Sequence, residues 1–111
     1  MKRSDREWLV DALDHIDVLK QHLSRGDIRE QIVLDAAVLR LSSAIESLSH
    51  VSDSLRRPVV PDKLWREIKG TRNLFAHEYG FLNEAQLREI FERDTARLEA
   101  DIHKMLEQSP V

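Results

Sequence analysis

The 111-residue sequence contains no cysteine, which excludes disulfides, thiolate metal sites and a cysteine nucleophile. Glycine and proline occur only three times each, and no stretch of any length alternates polar and apolar residues as a half-buried strand does. Long apolar runs are also missing, so no membrane-spanning helix is expected. The opening Met1-Lys2-Arg3-Ser4-Asp5 leads directly into charged, helix-like sequence without the apolar stretch of a signal peptide. A cytoplasmic location is the expectation that fits. Neither sign of charge dominates: 17 Lys and Arg against 20 Asp and Glu leave a net charge of −3. The protein is therefore not coated in basic surface, and any nucleic-acid site has to be a local patch. There is no internal repeat and no low-complexity tract. The length fits one domain over residues 1–111.

What is present is helical periodicity. Ser4-Asp5-Arg6-Glu7 has capping-box spacing, followed by Trp8, Ala12, Ile16, Leu19 and Leu23 on one face, with Gly26 as a left-handed stop. Asp27-Ile28-Arg29-Glu30 repeats the capping pattern. It introduces a stripe of Leu34, Ala37, Val38, Leu41, Ala44, Ile45, Leu48, Val51 and Leu55, with Ser42, Ser43 and Ser47 placed for close helix approach. Pro58 and Pro61 bound a loop, and Asp62 caps or starts a third helix with Leu64, Trp65, Ile68, Thr71 and Phe75 inward. Gly80 ends that helix or its continuation. Asn83 and Gln86 form another capping box, and a fourth helix follows through Leu87, Ile90, Phe91, Leu98, Ile102, Met105 and Leu106, with Pro110 marking a frayed tail. The expected fold is all-α, a four-helix up-down bundle.

One segment carries chemistry. Arg72-Asn73-Leu74-Phe75-Ala76-His77-Glu78-Tyr79 gathers a guanidinium, an amide, an imidazole and a phenol near the end of the third helix. Arg72 and Tyr79 share a face, whereas Arg72 and His77 are five residues apart and do not stack. The group suits metal-free phosphodiester cleavage. His77 can accept and donate a proton near neutral pH, beginning with a ribose 2′-OH, and Arg72 can neutralise charge on the phosphoryl oxygens. The substrate class is then RNA, which carries that internal nucleophile. One copy supplies a thin active site, and two copies across a twofold axis would surround the phosphate with two of each residue. The same side chains also suit a structural role, since His and Arg favour the negative end of a helix and Tyr79 can anchor the following turn.

The segment resembles the Arg-x4-His-x-Tyr signature of HepT-like proteins in the HEPN superfamily of helical-bundle ribonucleases. Trp65-Arg66-Glu67-Ile68-Lys69-Gly70-Thr71-Arg72-Asn73 is similar to the family's Trp-Arg-x-Ile-x-Gly-x-Arg-Asn run, and the segment from Ala37 to Glu46 resembles its second helix. The resemblance implies an HEPN-like bundle and a homodimeric endoribonuclease toxin of a type VII-like toxin–antitoxin pair, acting on tRNA or mRNA. In that reading Arg72 and His77 are catalytic, and Asn73 and Glu46 support them. Tyr79 accepts AMP from a minimal nucleotidyltransferase antitoxin. ATP is used by that partner, and this chain needs no cofactor or metal of its own. Ser42 and Ile45 stand where the family has an acid and a glycine, and Asn83 where it commonly has Asp. The alternative is a non-catalytic member of the superfamily that binds nucleotides or proteins.

Other features read more plainly. His15 and His22 lie seven apart on one face, but no third ligand is near in sequence. His50 and His103 read as solvated or edge-of-core residues. Arg56 and Arg57, with Lys63, Arg66 and Lys69, form either a basic rim for RNA or a solvated face. Trp65 reads as a core or dimer contact.

Overall fold

A computed structural model describes residues 2–109. Pro110 lies outside the described residues. The described residues form helices α1 (Asp5–Arg25), α2 (Gln31–Leu48), α3 (Asp53–Arg56), α4 (Asp62–Glu78) and α5 (Glu84–Gln108), with a 3₁₀ turn at Tyr79–Phe81. α1 packs along α2 and also against α5, while α2 packs on α4. The all-α helical bundle expected from the periodicity is present. It has five α-helices rather than a strict four, because the long second helix divides in two.

The division follows from the serines at the break, one of them held by a residue far away in the chain. Asp5, at the start of α1, accepts hydrogen bonds from Ser52 N at 2.9 Å and Ser52 Oγ at 2.5 Å. Ser49 Oγ turns back onto the carbonyl oxygen of Glu46 at 2.5 Å. Serine hydroxyls compete with the helical ladder in this way. α2 therefore stops at Leu48, and Val51 and Leu55 reach the core from the connection and from α3. The start of α2 also differs from the capping pattern. Asp27 is bonded to Arg29, through the backbone N at 2.9 Å and through its guanidinium at 2.6 Å. The N-cap is Glu30, with no side-chain cap.

Gly26 ends α1 with extended dihedrals, φ −134° and ψ 173°, not with the left-handed turn expected of it. Its missing side chain serves packing instead, since a Cβ there would lie 2.6 Å from Val33 Cγ2. The capping boxes at Ser4–Glu7 and Asn83–Gln86 are both formed. On α1, Leu9, Ala12, Ile16 and Leu19 are buried, while Trp8 and Leu23 lie at the core edge. Phe75 of α4 and Phe91 of α5 meet at a ring separation of 5.7 Å in the core.

α5 also carries charge into the interior. Asp94 is fully buried and accepts from Arg93 Nε at 3.0 Å and Arg97 Nη2 at 3.2 Å. Asp101 is 8% exposed, and its Oδ2 is buried without a hydrogen-bond partner. Burial raises the Asp101 pKa, against the opposing pull of Lys104 and Arg97. An acid whose folded pKa lies above its unfolded one destabilises the fold where it is ionised, and this cost disappears as pH falls through the folded value toward the unfolded one. Asp101→Asn is therefore expected to stabilise the protein at pH 7 by about 1 kcal/mol. The gain shrinks as pH falls and is gone below about pH 3, where both states of the wild type are largely protonated. Urea unfolding across that range checks it, and an Asn variant less stable at neutral pH would contradict it.

Candidate functional site

α4 starts behind Pro61, whose carbonyl accepts the Trp65 N–H at 2.9 Å. Trp65, Ile68, Thr71 and Phe75 form its buried face. That phase leaves Arg72 and Tyr79 on the flank toward α2, and Asn73 and His77 exposed. Asp35 and Glu46 of α2 are eleven residues apart, about three turns, and so lie on one side of their helix. The flanks of α2 and α4 meet through two acid contacts. Arg72 Nη1 donates to Glu46 Oε2 at 2.6 Å. Tyr79 Oη donates to Asp35 Oδ1 at 2.6 Å, and Gln31 Nε2 donates to the same oxygen at 2.8 Å.

These contacts set the electrostatics of the helix end. The hydrogen bond to Asp35 raises the Tyr79 pKa, with desolvation adding to it. The same bond, helped by Gln31, lowers the pKa of Asp35. Tyr79 is thus held as a neutral phenol against an ionised carboxylate. Its ring also lies edge-on to Phe75, with centroids 6.5 Å apart at 77°. α4 stays α-helical through Glu78, and the 3₁₀ turn begins at Tyr79.

Arg72 and His77 are not brought together within the chain. Five residues turn a helix by about 140° beyond a full revolution. Arg72 therefore meets Glu46, while His77 is exposed and makes no hydrogen bond or ion pair. Asn73 is exposed beside it. The surface depressions on α1, α2 and α5 are lined by other residues, and none of the four includes Arg72, Asn73, His77 or Tyr79.

Two partners went unread in the sequence. Asp35 holds Tyr79, and His50 approaches Glu46, Nε2 to Oε1, at 3.6 Å. The eleven-residue spacing of Asp35 and Glu46 was visible, but only the packing of α2 on α4 gives it meaning.

Arg56 leaves the proposed basic rim. It is 5% exposed, donating to the Val60 carbonyl at 2.8 Å and to Asp62 at 2.8 Å. Arg57 pairs with Asp53 and Asp62. Asp53 and Asp62 consume these two charges locally, while Lys63 and Arg66 stay exposed and Lys69 lies 5.7 Å from the Trp65 ring centroid. Trp65 is buried in the core. His15 contacts Asp11 and Arg40, and His103 is exposed. Ser47 is buried and donates to Asp11 of α1 at 2.5 Å. Ile45, where the resemblance leads one to expect glycine, is fully buried.

An all-α bundle whose fourth helix ends in Arg-Asn-x3-His-x-Tyr, held against acids of the second, has the architecture of HEPN-like proteins. Residues 9–105 match the family described as Ribonuclease HepT-like, and the chain belongs to that family. No curated protein and no solved structure matches the chain. Among the described residues, no helix is long and apolar enough to cross a membrane.

Proposed function

We propose that the protein is a metal-independent endoribonuclease toxin that cleaves tRNA or mRNA at a composite site formed by Arg72 and His77 of two copies in a homodimer. The observation that carries this reading is the outward, unpartnered His77 at the end of α4, set off from Arg72, in a chain of the HepT-like family. A second copy closes that separation. Gly70 lies on the same outward face as His77, with nothing of its own chain within 4 Å of a built Cβ. A mid-helix glycine costs about 1 kcal/mol relative to alanine, which is consistent with close approach of another backbone.

In the reaction one His77 takes the proton of the ribose 2′-OH, and that oxygen attacks the adjacent phosphorus. A P–O bond forms to the 2′ oxygen as the P–O bond to the 5′ oxygen breaks. The other His77, protonated, gives its proton to the leaving 5′ oxygen. Arg72 offers phosphoryl oxygens the guanidinium N–H groups that Glu46 does not occupy. Asn73 supports the geometry. Regulation falls on Tyr79: on a nucleotidyltransferase antitoxin its phenolic oxygen bonds to the α-phosphorus of ATP, the bond from that phosphorus to the β-phosphate breaks, and pyrophosphate and the phenolic proton leave. That step removes the phenolic hydrogen bond and sets a phosphodiester anion beside Asp35, two residues from His77.

The composite site has a direct test. Arg72→Ala and His77→Ala proteins, each inactive alone on total tRNA or mRNA, regain part of the cleavage when mixed and allowed to exchange subunits. A mixed dimer keeps one wild-type Arg72 and one wild-type His77, so one proton transfer is still catalysed, the other falls to water, and the recovery is partial. If wild type itself cleaves no better than either variant, the chain is a non-catalytic binding member of the superfamily. If wild type cleaves and mixing restores nothing, the shared site is wrong.

A further inference from the structure

Glu46 sits in the last turn of α2, a turn with no basic residue of its own. A carboxylate at the negative end of a helix is electrostatically misplaced, so its position calls for cations from elsewhere. Two approach it from different sides of the sequence. Arg72 Nη1 is 2.6 Å from Oε2, and His50 Nε2 is 3.6 Å from Oε1. His50 lies two residues past the end of α2. Its ring is held in turn, stacked on Trp8 of α1 with centroids 4.1 Å apart and planes at 14°. The Arg3 guanidinium lies 4.1 Å from the centroid of the same indole.

We propose that His50 is a positioning residue for Arg72, acting through Glu46. The Trp8 stack holds the imidazole at the end of α2, the imidazole restrains one oxygen of Glu46, and the other oxygen then presents a single lone-pair direction to Arg72. Without His50, an exposed glutamate has three free torsions and the guanidinium turns with it. The inference deepens the ribonuclease reading and rests on it for its kinetic consequence. The positional claim itself concerns only these side chains. His50 and Glu46 are both solvent-accessible, with side chains 46% and 58% exposed, so substitution at residue 50 leaves the core intact.

The test separates the ring from its nitrogen. His50→Phe keeps the stack on Trp8 and loses the Nε2 contact. His50→Gln loses the ring and keeps an N–H donor for Glu46. On RNA, His50→Phe is expected to lower kcat by about tenfold or more with little change in KM, because a misplaced group costs rate rather than binding. His50→Gln recovers most of it. A residue that only packs on Trp8 would give the reverse order, and that result overturns the proposal. Heteronuclear NMR of the Arg72 guanidinium gives a readout independent of cleavage. Its side-chain N–H signals are expected to be protected in wild type and His50→Gln, and averaged in His50→Phe. Unchanged Arg72 signals in His50→Phe overturn the positioning role whether or not the protein cuts RNA, whereas a wild type that cuts no RNA overturns only the ribonuclease reading. Should the Phe variant fail to fold, His50→Leu and His50→Gln both lack the ring and differ in the N–H donor, so activity and Arg72 protection no higher in Gln than in Leu overturn the proposal.

Discussion

If the proposed site is right, Arg72→Ala and His77→Ala are each expected to lower single-turnover RNA cleavage by about 10²–10⁴-fold, the range of a lost proton-transfer group or a lost charge stabiliser. Neither side chain is in the core: Arg72 is 28% exposed and His77 is exposed. Helix content by circular dichroism should therefore match wild type, which separates lost chemistry from lost fold. The double variant is expected to be no worse than the poorer single one, because groups that act as a unit are not additive. Arg72→Lys restores little. An ammonium keeps the charge but cannot hold Glu46 and a phosphoryl oxygen in the planar fork of a guanidinium. Wild-type rates in either alanine variant would refute the assignment of that residue.

Phe75→Ala is the substitution expected to cost the most stability, about 3–5 kcal/mol. Phe75 is 1% exposed and meets Phe91 at 5.7 Å and Tyr79 at 6.5 Å between ring centroids. It ties α4 to α5 beneath the flank that carries Arg72. Domains of this size are stable by about 5–15 kcal/mol in total, so the loss takes a large share. Urea denaturation at one protein concentration should show a lower midpoint with the same slope. Holding concentration constant matters because the proposed dimer would add to apparent stability. A loss below about 1 kcal/mol would mean that the neighbouring rings collapse into the space. The charged partners of α4 respond differently, since Arg72 and Glu46 are exposed enough for water to screen them.

Periodicity reports burial directly, and so most of the bundle was legible. Residues such as Ile16, Leu41, Ile68 and Leu98 repeat at helical steps, and all are fully buried. The caps at Ser4 and Asn83 were legible for the same reason, because their partners lie three residues away. Reading failed where a contact lay outside the helical periodicity, near or far in the chain. Asp5 captures Ser52 across 47 positions and breaks the second helix. Asp62 and Asp53 draw Arg56 inward, away from any RNA surface. Gly26 was read as a turn glycine, but the close side chain of Val33 explains it better.

The missing cysteine, the scarcity of glycine and proline, and the helical spacing of apolar residues together determined an all-α chain without disulfides. The order Arg72, Asn73, His77, Tyr79 determined which chemical groups reach the end of α4, and placed Arg72 and His77 on different sides of it, because helix geometry is local. Tertiary structure alone decided what each group faces. Packing of α2 on α4 gave Arg72 to Glu46 and Tyr79 to Asp35, and packing of α1 beside the end of α2 set Trp8 under His50. Hydrogen-bond and ion-pair partners depend on contacts between residues far apart in the chain, and no local periodicity encodes those.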